Sequence, residues 1–178
     1  MNWRRILPVS LLALSASAAA EIVDVGATGF QVRHVTTVNV APAAAFAVLL
    51  EPSKWWHPAH SFSGNAANLS LDARAGGCFC ERLPGGGGAE HLRVVHVVPG
   101  QMLRLAGALG PLQVFGLAGS LTWRLADAPP GTRIELTYDV GGHLQGGFDK
   151  IASAVNDVLG VQIARFRAFA DTGNPAPQ

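Results

Sequence analysis

The sequence has few charged residues and no marked excess of either sign. Only 14% of its 178 residues are charged, 49% are hydrophobic, and 13 basic residues stand against 12 acidic ones. Nucleic-acid binding depends on a concentrated basic surface, so we expect no nucleic-acid partner. A composition with so many hydrophobic and so few charged residues indicates a chain that buries most of its side chains in one core.

Long hydrophobic runs are also missing. The most prominent run, residues 6–14, has about nine residues, whereas a membrane-spanning helix needs roughly twenty. It follows Arg4 and Arg5 and precedes small residues that offer an Ala-x-Ala pattern. This arrangement is typical of a secretory signal peptide and predicts cleavage after Ala20, with a periplasmic or secreted location. A retained membrane anchor is the alternative; after cleavage we expect no integral membrane span.

The predicted mature chain is long enough for one domain. Cleavage removes Arg4 and Arg5 from the 13 basic residues and no acid from the 12 acidic ones, which leaves a net charge of −1. About 158 residues suit a single core. We expect a short N-terminal lead over residues 21–29, a domain over residues 30–171 and a disordered tail over residues 172–178.

Cysteine is scarce as well. Cys78 and Cys80 are the two cysteines of the chain, and Phe79 separates them. In a strand both would point to one face with their Cα atoms about 6.5–7 Å apart, at the upper limit of disulfide geometry. An oxidising compartment could join them, but this spacing favours two free thiols.

Hydrophobic periodicity divides the chain into strands and helices. Residues 30–40 are β-branched and predict a first strand, and an alanine-rich helix begins at Pro42 and ends before Pro52. A second short helix follows and ends at Pro58. Residues 148–170 carry apolar residues at intervals of three and four, which predicts one long amphipathic helix. Runs typical of short strands lie between them, at residues 68–72, 78–83, 90–98, 102–108, 119–126 and 132–140.

This order predicts an α+β fold. We expect a curved antiparallel sheet of about six to seven strands wrapped around a long C-terminal helix, with two short helices after the first strand. One helix cannot cover so many strands, so the arrangement predicts a cavity between helix and sheet.

The same order resembles the START-like (SRPBCC, helix-grip) superfamily over about residues 30–171. The resemblance rests on the helix at residues 42–50 after the first strand, the Lys-Trp-Trp-His run at residues 54–57 and the Gly-Gly-Cys-Phe-Cys-Glu run at residues 76–81. The nearest groups are the polyketide cyclase/dehydrases and the homologues of the Hsp90 ATPase activator. It implies a cavity for lipids, sterols, hormones or polyketides; an exported chain departs from the Hsp90 role.

Aromatic residues are the first candidates for contacts with such a ligand. Trp55 and Trp56 are predicted at the mouth of the cavity, where indole rings would grip an apolar molecule. The alternative is that one of them packs the short helix against the sheet and the other is half buried. Phe79 is a further candidate for the wall, and Trp123 and Tyr138 point inward from neighbouring strands, either into the core or onto the floor of the cavity.

Polar candidates would orient one end of the ligand. Glu81 shares a strand face with Phe79, and on a concave apolar wall desolvation would raise its pKa. In the opposite orientation Cys78 and Cys80 would point inward and Glu81 into solvent. His60 and Asn156 are the other two candidates for a polar contact.

Metal binding and nucleophilic catalysis are alternatives that the spacing does not favour. A set of histidines and cysteines could attract zinc or copper, namely His57 and His60 with Cys78 and Cys80, plus His91 or His96. The Cys-x-Cys and His-x-x-His spacings are short and common, and structural zinc sites usually use Cys-x-x-Cys turns. A Cys-His nucleophile pair would lack an orienting third residue. We therefore expect no metal and no cofactor.

The main functional hypothesis is an exported protein that binds a hydrophobic small molecule or lipid in its cavity. The alternative is an enzyme of the cyclase, dehydratase or hydrolase kind, in which Glu81 and His60 would be the catalytic residues. A protein that binds metal or assists envelope assembly is a third hypothesis.

Overall fold

The structure, a computed structural model, describes residues 19–175 as one antiparallel sheet with helices on its concave side. The helices are α1 (Pro42–Leu49), α2 (Pro52–Trp55) and α3 (Asp149–Thr172). The strands are β1 (Ala19–Gly26), β2 (Gly29–Val38), β3 (Leu69–Leu71), β4 (Cys78–Arg82), β5 (Gly88–Val98), β6 (Met102–Ala106), β7 (Gly116–Ala128) and β8 (Gly131–His143).

The eight strands form one sheet in the order β1-β2-β8-β7-β6-β5-β4-β3. After β2 the chain crosses through α1 and α2 to the far edge, then returns strand by strand until β8 pairs with β2. Both β7 and β8 have 13 residues and pair along their whole length. This connection leaves α1 and α2 at one end of the sheet, beside α3.

Alternation in the strands decides which face is buried. In β8, five residues at every second position are buried, and most of those between them are partly exposed. They are Thr132, Ile134, Leu136, Tyr138 and Val140. A strand places successive side chains on opposite faces, so this pattern directs one face of β8 onto the helices.

The long helix α3 lies along this concave face. Ala152, Leu159, Ile163 and Phe166 are buried on one side of it, at the three- and four-residue intervals of an amphipathic helix. Its end is capped by Gly173, whose φ of 76° lies in the left-handed region that glycine adopts without strain. The predicted bounds, residues 148–170, agree with Asp149–Thr172 to within two residues.

The predicted α+β class, the curved sheet, the long helix and the two short helices are confirmed. The sheet has eight strands rather than six or seven, because residues 19–26 form β1 and pair with β2 where the sequence indicated only a lead. The signal-peptide prediction falls on residues 1–20, of which residues 1–18 lie outside those described, and it stays a prediction. Part of the predicted tail, residues 176–178, also lies outside them. Within residues 19–175, no helix is long and apolar enough to cross a membrane.

The prediction of two free thiols is wrong. Cys78 and Cys80 form a disulfide, with their Cα atoms 5.4 Å apart rather than the 6.5–7 Å of a regular strand. The pairing of β4 with β5 is irregular here: Phe79 pairs with Leu92, but Cys80 pairs with Glu90, so β5 carries an extra residue between the two pairs. The spacing of the cysteines in the sequence reveals neither this irregularity nor the short Cα distance.

Candidate functional site

A cavity of about 370 Å³ lies between the concave face of the sheet and the first half of α3. Two segments close it from the sides: residues 57–63, which we call the histidine loop, and residues 109–115, which we call the apolar loop. The lining side chains are predominantly apolar. They include Trp56, Phe62, Phe79, Leu112, Phe115, Ile151, Val155, Val158 and Leu159.

The cavity opens between the two loops. Phe62 of the histidine loop and Phe115 of the apolar loop both line the cavity, yet they are 49% and 41% exposed. Val114, next to Phe115, is 81% exposed. Apolar side chains of both loops thus stand in solvent beside the opening, where an apolar molecule would enter.

The two adjacent tryptophans have different roles, so each of the two sequence interpretations applies to one of them. Trp56 lines the cavity, and its indole N–H donates to the carbonyl oxygen of His60 at 2.9 Å. Trp55 lies in the core, with its ring centroid 5.9 Å from that of Trp123 and 5.5 Å from that of Phe166. Trp55 and Trp123 do not line the cavity. Trp55 packs against Trp56, which does, and Trp123 packs against Trp55.

Glu81 points inward, as predicted, but its surroundings differ from the prediction. It is 2% exposed and accepts hydrogen bonds from the backbone N–H groups of Phe62 at 3.0 Å and Ser63 at 2.6 Å. His91 Nε2 lies 2.9 Å from the same carboxylate. Burial alone would raise the pKa of Glu81, but hydrogen bonds from Ser63, Phe62 and His91 outweigh it and lower the pKa to about 2.

The expected rise in the pKa of Glu81 is therefore wrong, and so is its place on the wall. The carboxylate lies behind the lining residues, where it fixes the histidine loop and one ring of the wall. An ionised carboxylate that receives three charge-assisted hydrogen bonds is an anchor rather than a free acid. Its inward direction follows from the alternation of β4, in which Phe79 and Glu81 are buried while Cys78 and Cys80 are partly exposed.

His91 is a residue of the wall that sequence reasoning named only as a metal candidate. Its ring stacks on Phe62 at 5.2 Å and packs against Phe79 at 5.2 Å. His91 and Leu92 are both buried although they are neighbours in β5, because the strand carries an extra residue where its register against β4 slips. Strict alternation would have placed one of the two in solvent.

His60 lines the cavity, as predicted, and is held by Gln162 of α3. The side-chain amide of Gln162 accepts from the backbone N–H of His57 through Oε1 at 2.8 Å and lies 2.6 Å from His60 Nδ1 through Nε2. Burial lowers the pKa of His60, and the neighbouring His57 lowers it further. Gln162 is fully buried. The sequence offered a signal for it, since it is a glutamine on the apolar stripe of the long helix.

The ring of Tyr138 lines the cavity, but its hydroxyl is engaged elsewhere. It donates to the carbonyl oxygen of Gly107 at 2.9 Å and accepts from the N–H of Leu109 at 2.8 Å. Burial raises the pKa of Tyr138 to about 12, and the hydrogen bond from Leu109 opposes that rise. The tyrosine therefore fixes the start of the apolar loop rather than offering its hydroxyl to a ligand.

Asn156 is not brought to the cavity. It lies on α3 between Val155 and Val158, which do line the cavity, but faces another side of the helix. Three of the eight predicted contacts thus lie outside the wall: Trp55 and Trp123 pack in the core, and Asn156 faces another side of α3. Glu81 lies directly behind the wall. Trp56, His60, Phe79 and Tyr138 line it as predicted.

The described residues do not assemble a metal centre. Within residues 19–175, no three histidine, cysteine or acidic side chains lie close enough together to hold an ion. The two sulfur atoms are joined to each other, and they lie on the face of β4 that points away from the cavity.

Solved structures with the same fold support this architecture. CalU16 from Micromonospora echinospora is 13% identical with a TM-score of 0.60, over 90% of this chain and 88% of its own. The Aha1 dimer from Colwellia psychrerythraea is 15% identical with a TM-score of 0.58, over 80% and 97%. EF2215 from Enterococcus faecalis, a conserved protein of unknown function, is 13% identical with a TM-score of 0.59, over 90% and 80%. At these identities the likeness concerns the fold alone.

A family model is more specific than these structures. No curated protein matches the chain, but the model described as polyketide cyclase/dehydrase and lipid transport matches residues 29–170. That range runs from the start of β2 almost to the end of α3 and contains every residue of the cavity wall. The chain belongs to the polyketide cyclase/dehydrase and lipid transport family, and with it to the START-like superfamily that its sequence resembles.

Proposed function

We propose that this chain is an exported protein that binds a small hydrophobic molecule in the cavity between the sheet and α3. The observation that carries the proposal is the wall itself, which is almost wholly apolar and has an opening rimmed by Phe62 and Phe115. A volume of about 370 Å³ falls in the range of pockets that enclose a small organic ligand, roughly 300–1,000 Å³. Affinity would come from transfer of apolar ligand surface out of water.

Two observations support the exported location. Residues 1–20 have the composition of a cleavable signal peptide. The bond between Cys78 and Cys80 is of a kind that persists in oxidising compartments and is rare in the cytosol.

Native mass spectrometry of the mature protein, purified from its own secretory compartment, tests the binding function. A bound molecule of lipid or metabolite mass that is lost on denaturation would support the proposal and identify the ligand class. An apo mass together with no binding of apolar fluorescent probes would overturn it.

A pair of variants on α3 locates the bound molecule. Val155→Trp fills the cavity from its wall, so we expect it to abolish probe binding while the fold persists. Val161→Trp places the same side chain on the same helix, at a residue that is 39% exposed and outside the wall, and should bind as the wild type does. Equal binding by both variants would place the ligand elsewhere.

The carboxylate–histidine contact favours a second candidate function, an acid–base enzyme of the cyclase, dehydratase or hydrolase kind. Glu81 is ionised behind His91, and His91 lines the cavity. A histidine backed by a carboxylate can act as a general base. In this reading His91, rather than Glu81 or His60, would touch the substrate. Turnover that disappears in His91→Gln but survives in the exposed-histidine variant His96→Gln would favour the enzyme over the carrier.

A further inference from the structure

The polar side chains of the cavity wall are almost all occupied by the protein itself. The indole N–H of Trp56 and the hydroxyls of Ser61 and Tyr138 each donate to a main-chain carbonyl oxygen. His91 has its Nε2 on the ionised carboxylate of Glu81, so Nε2 carries the proton and, in the neutral ring, Nδ1 does not. None of these four groups offers an N–H or O–H to a ligand.

His60 differs from them because Gln162 fixes its tautomer. Oε1 of Gln162 accepts the backbone N–H of His57 at 2.8 Å, which determines which end of the amide is oxygen. Its Nε2 is therefore an NH₂ group, and that group lies 2.6 Å from His60 Nδ1 and 3.3 Å from the carbonyl oxygen of Val158. Since an amide NH₂ only donates, His60 Nδ1 must accept and carries no proton.

The neutral ring of His60 then carries its proton on Nε2. The Nδ1 edge is turned to Gln162, so the opposite edge, with Cδ2 and Nε2, is the one left for the cavity that the ring lines. Within residues 19–175, Nε2 has no hydrogen-bond acceptor. One N–H donor of defined direction thus lies on an otherwise apolar wall.

We propose that the cavity selects apolar ligands that carry a carbonyl oxygen or an equivalent acceptor, which receives a hydrogen bond from His60 Nε2–H, with Gln162 as the positioning residue. This inference rests on the proposed binding function and adds the chemical class of the ligand. A hydrocarbon of the same shape would bury the N–H without a partner, and a site built around a donor rejects a ligand that lacks the acceptor. We expect a preference of about tenfold, as one net hydrogen bond gives.

The test compares two probes of nearly equal shape, the ketone 2-acetylnaphthalene and the hydrocarbon 2-isopropenylnaphthalene, by displacement of a fluorescent phenylnaphthylamine. The wild type should bind the ketone about tenfold more tightly than the hydrocarbon. His60→Phe and Gln162→Leu should lose that ratio while they keep their affinity for the hydrocarbon, which shows that the cavity is intact. His96→Phe, an exposed histidine of β5, should keep the ratio.

A second measurement does not depend on the folding of any variant. Nitrogen-15 NMR of the wild type reports which ring nitrogen of His60 carries the proton. A proton on Nε2, with a bound ketone whose carbonyl stretch shifts to lower frequency, supports the inference. A proton on Nδ1, or equal affinity for the two probes, overturns it and leaves the binding function standing. If neither probe binds and no ligand co-purifies, both proposals fail.

Discussion

At the scale of single residues, the site depends on side chains whose hydrogen bonds are completed within the protein. Glu81 receives bonds from the histidine loop and from His91, and Tyr138 bridges two main-chain groups before the apolar loop. Both side chains exchange hydrogen bonds to water for hydrogen bonds to the protein, so their polar groups are buried at little cost in free energy. The pKa values of these two groups shift in opposite directions, and both shifts can be measured.

Glu81→Gln should lower the free energy of unfolding at pH 7 by about 2–3 kcal/mol, because it removes a buried carboxylate with three donors. Folding lowers the pKa of Glu81 from 4.5 to about 2. The stabilisation is therefore complete above pH 4.5 and is lost as the pH falls toward 2. Urea unfolding of the two proteins across this range should show the difference shrinking. The control is Glu51→Gln, because the carboxylate of Glu51 is half exposed beside Lys54. This variant should change the free energy of unfolding little. Equal stability of Glu81→Gln and wild type at pH 7 would contradict the anchor role.

Tyr138 is the single tyrosine of the chain, so its ionisation can be followed by ultraviolet absorbance. Folding raises its pKa from 10.0 to about 12. The phenolate should thus appear near pH 12 in the folded protein and near pH 10 in urea. Stability should be unchanged up to pH 10 and fall as the pH rises toward 12, because ionisation favours the unfolded chain. A folded-state titration near pH 10 would show that the hydroxyl is solvated.

At the scale of elements, the cavity wall requires close approach between strands and side chains. Gly119 of β7 lies opposite Val140 of β8, and its backbone leaves room for the ring of Tyr138. A Cβ at Gly119 would lie 2.6 Å from Tyr138 Cε2 and 2.8 Å from the carbonyl oxygen of Gly107. Both distances are shorter than van der Waals contact, so glycine is required here by packing.

Gly119→Ala should therefore destabilise the protein by about 1–3 kcal/mol, the usual cost of overpacking, and loosen the bonds of Tyr138. Gly116→Ala is the matched control, since it lies in the same strand and a Cβ there would meet nothing within 4 Å. Thermal unfolding of the two variants gives the comparison. Equal melting temperatures would show that Tyr138 can move without cost.

At the scale of the whole molecule, one helix on an eight-stranded sheet divides the interior into two parts. The second half of α3 packs tightly, with Phe166 against Trp55 and Trp123 at 5.5 and 5.4 Å. The first half faces the cavity through Ile151, Val155 and Leu159. The core thus packs against the C-terminal half of the helix. The cavity lies beside its N-terminal half, facing residues of β4, β5 and β8.

The disulfide lies on the outer face of β4 and should be dispensable for this architecture. Protein purified without a reducing agent should show no free thiol on denaturation, as measured with a thiol reagent. Reduction, or replacement of both cysteines by serine, should cost less than about 2 kcal/mol, because the bond closes a very short loop. Two reactive thiols per chain would contradict the oxidised state.

The sequence by itself determined the class of the fold and most of its elements. Three of the patterns behind this are local: the alternation in β8, the apolar stripe of α3 and the prolines that begin α1 and α2. They can be read from the sequence because the geometry of a strand or a helix fixes the spacing of the residues on its buried face. The same patterns made Trp56, His60, Phe79 and Tyr138 candidates for the wall of a cavity, and the structure places all four there.

Only the tertiary structure decided how the polar groups of that cavity are used. The register slip between β4 and β5 buries His91 and cannot be read from either strand alone. The approach of Cys78 and Cys80 to 5.4 Å is likewise visible only in the folded chain. The pKa of Glu81 falls rather than rises because residues 10 to 19 positions away in the chain supply its donors. His60 has its tautomer from a glutamine 102 residues away. Direction along a strand is a local property, whereas hydrogen-bond partners and register belong to pairs of segments that meet only in the folded chain.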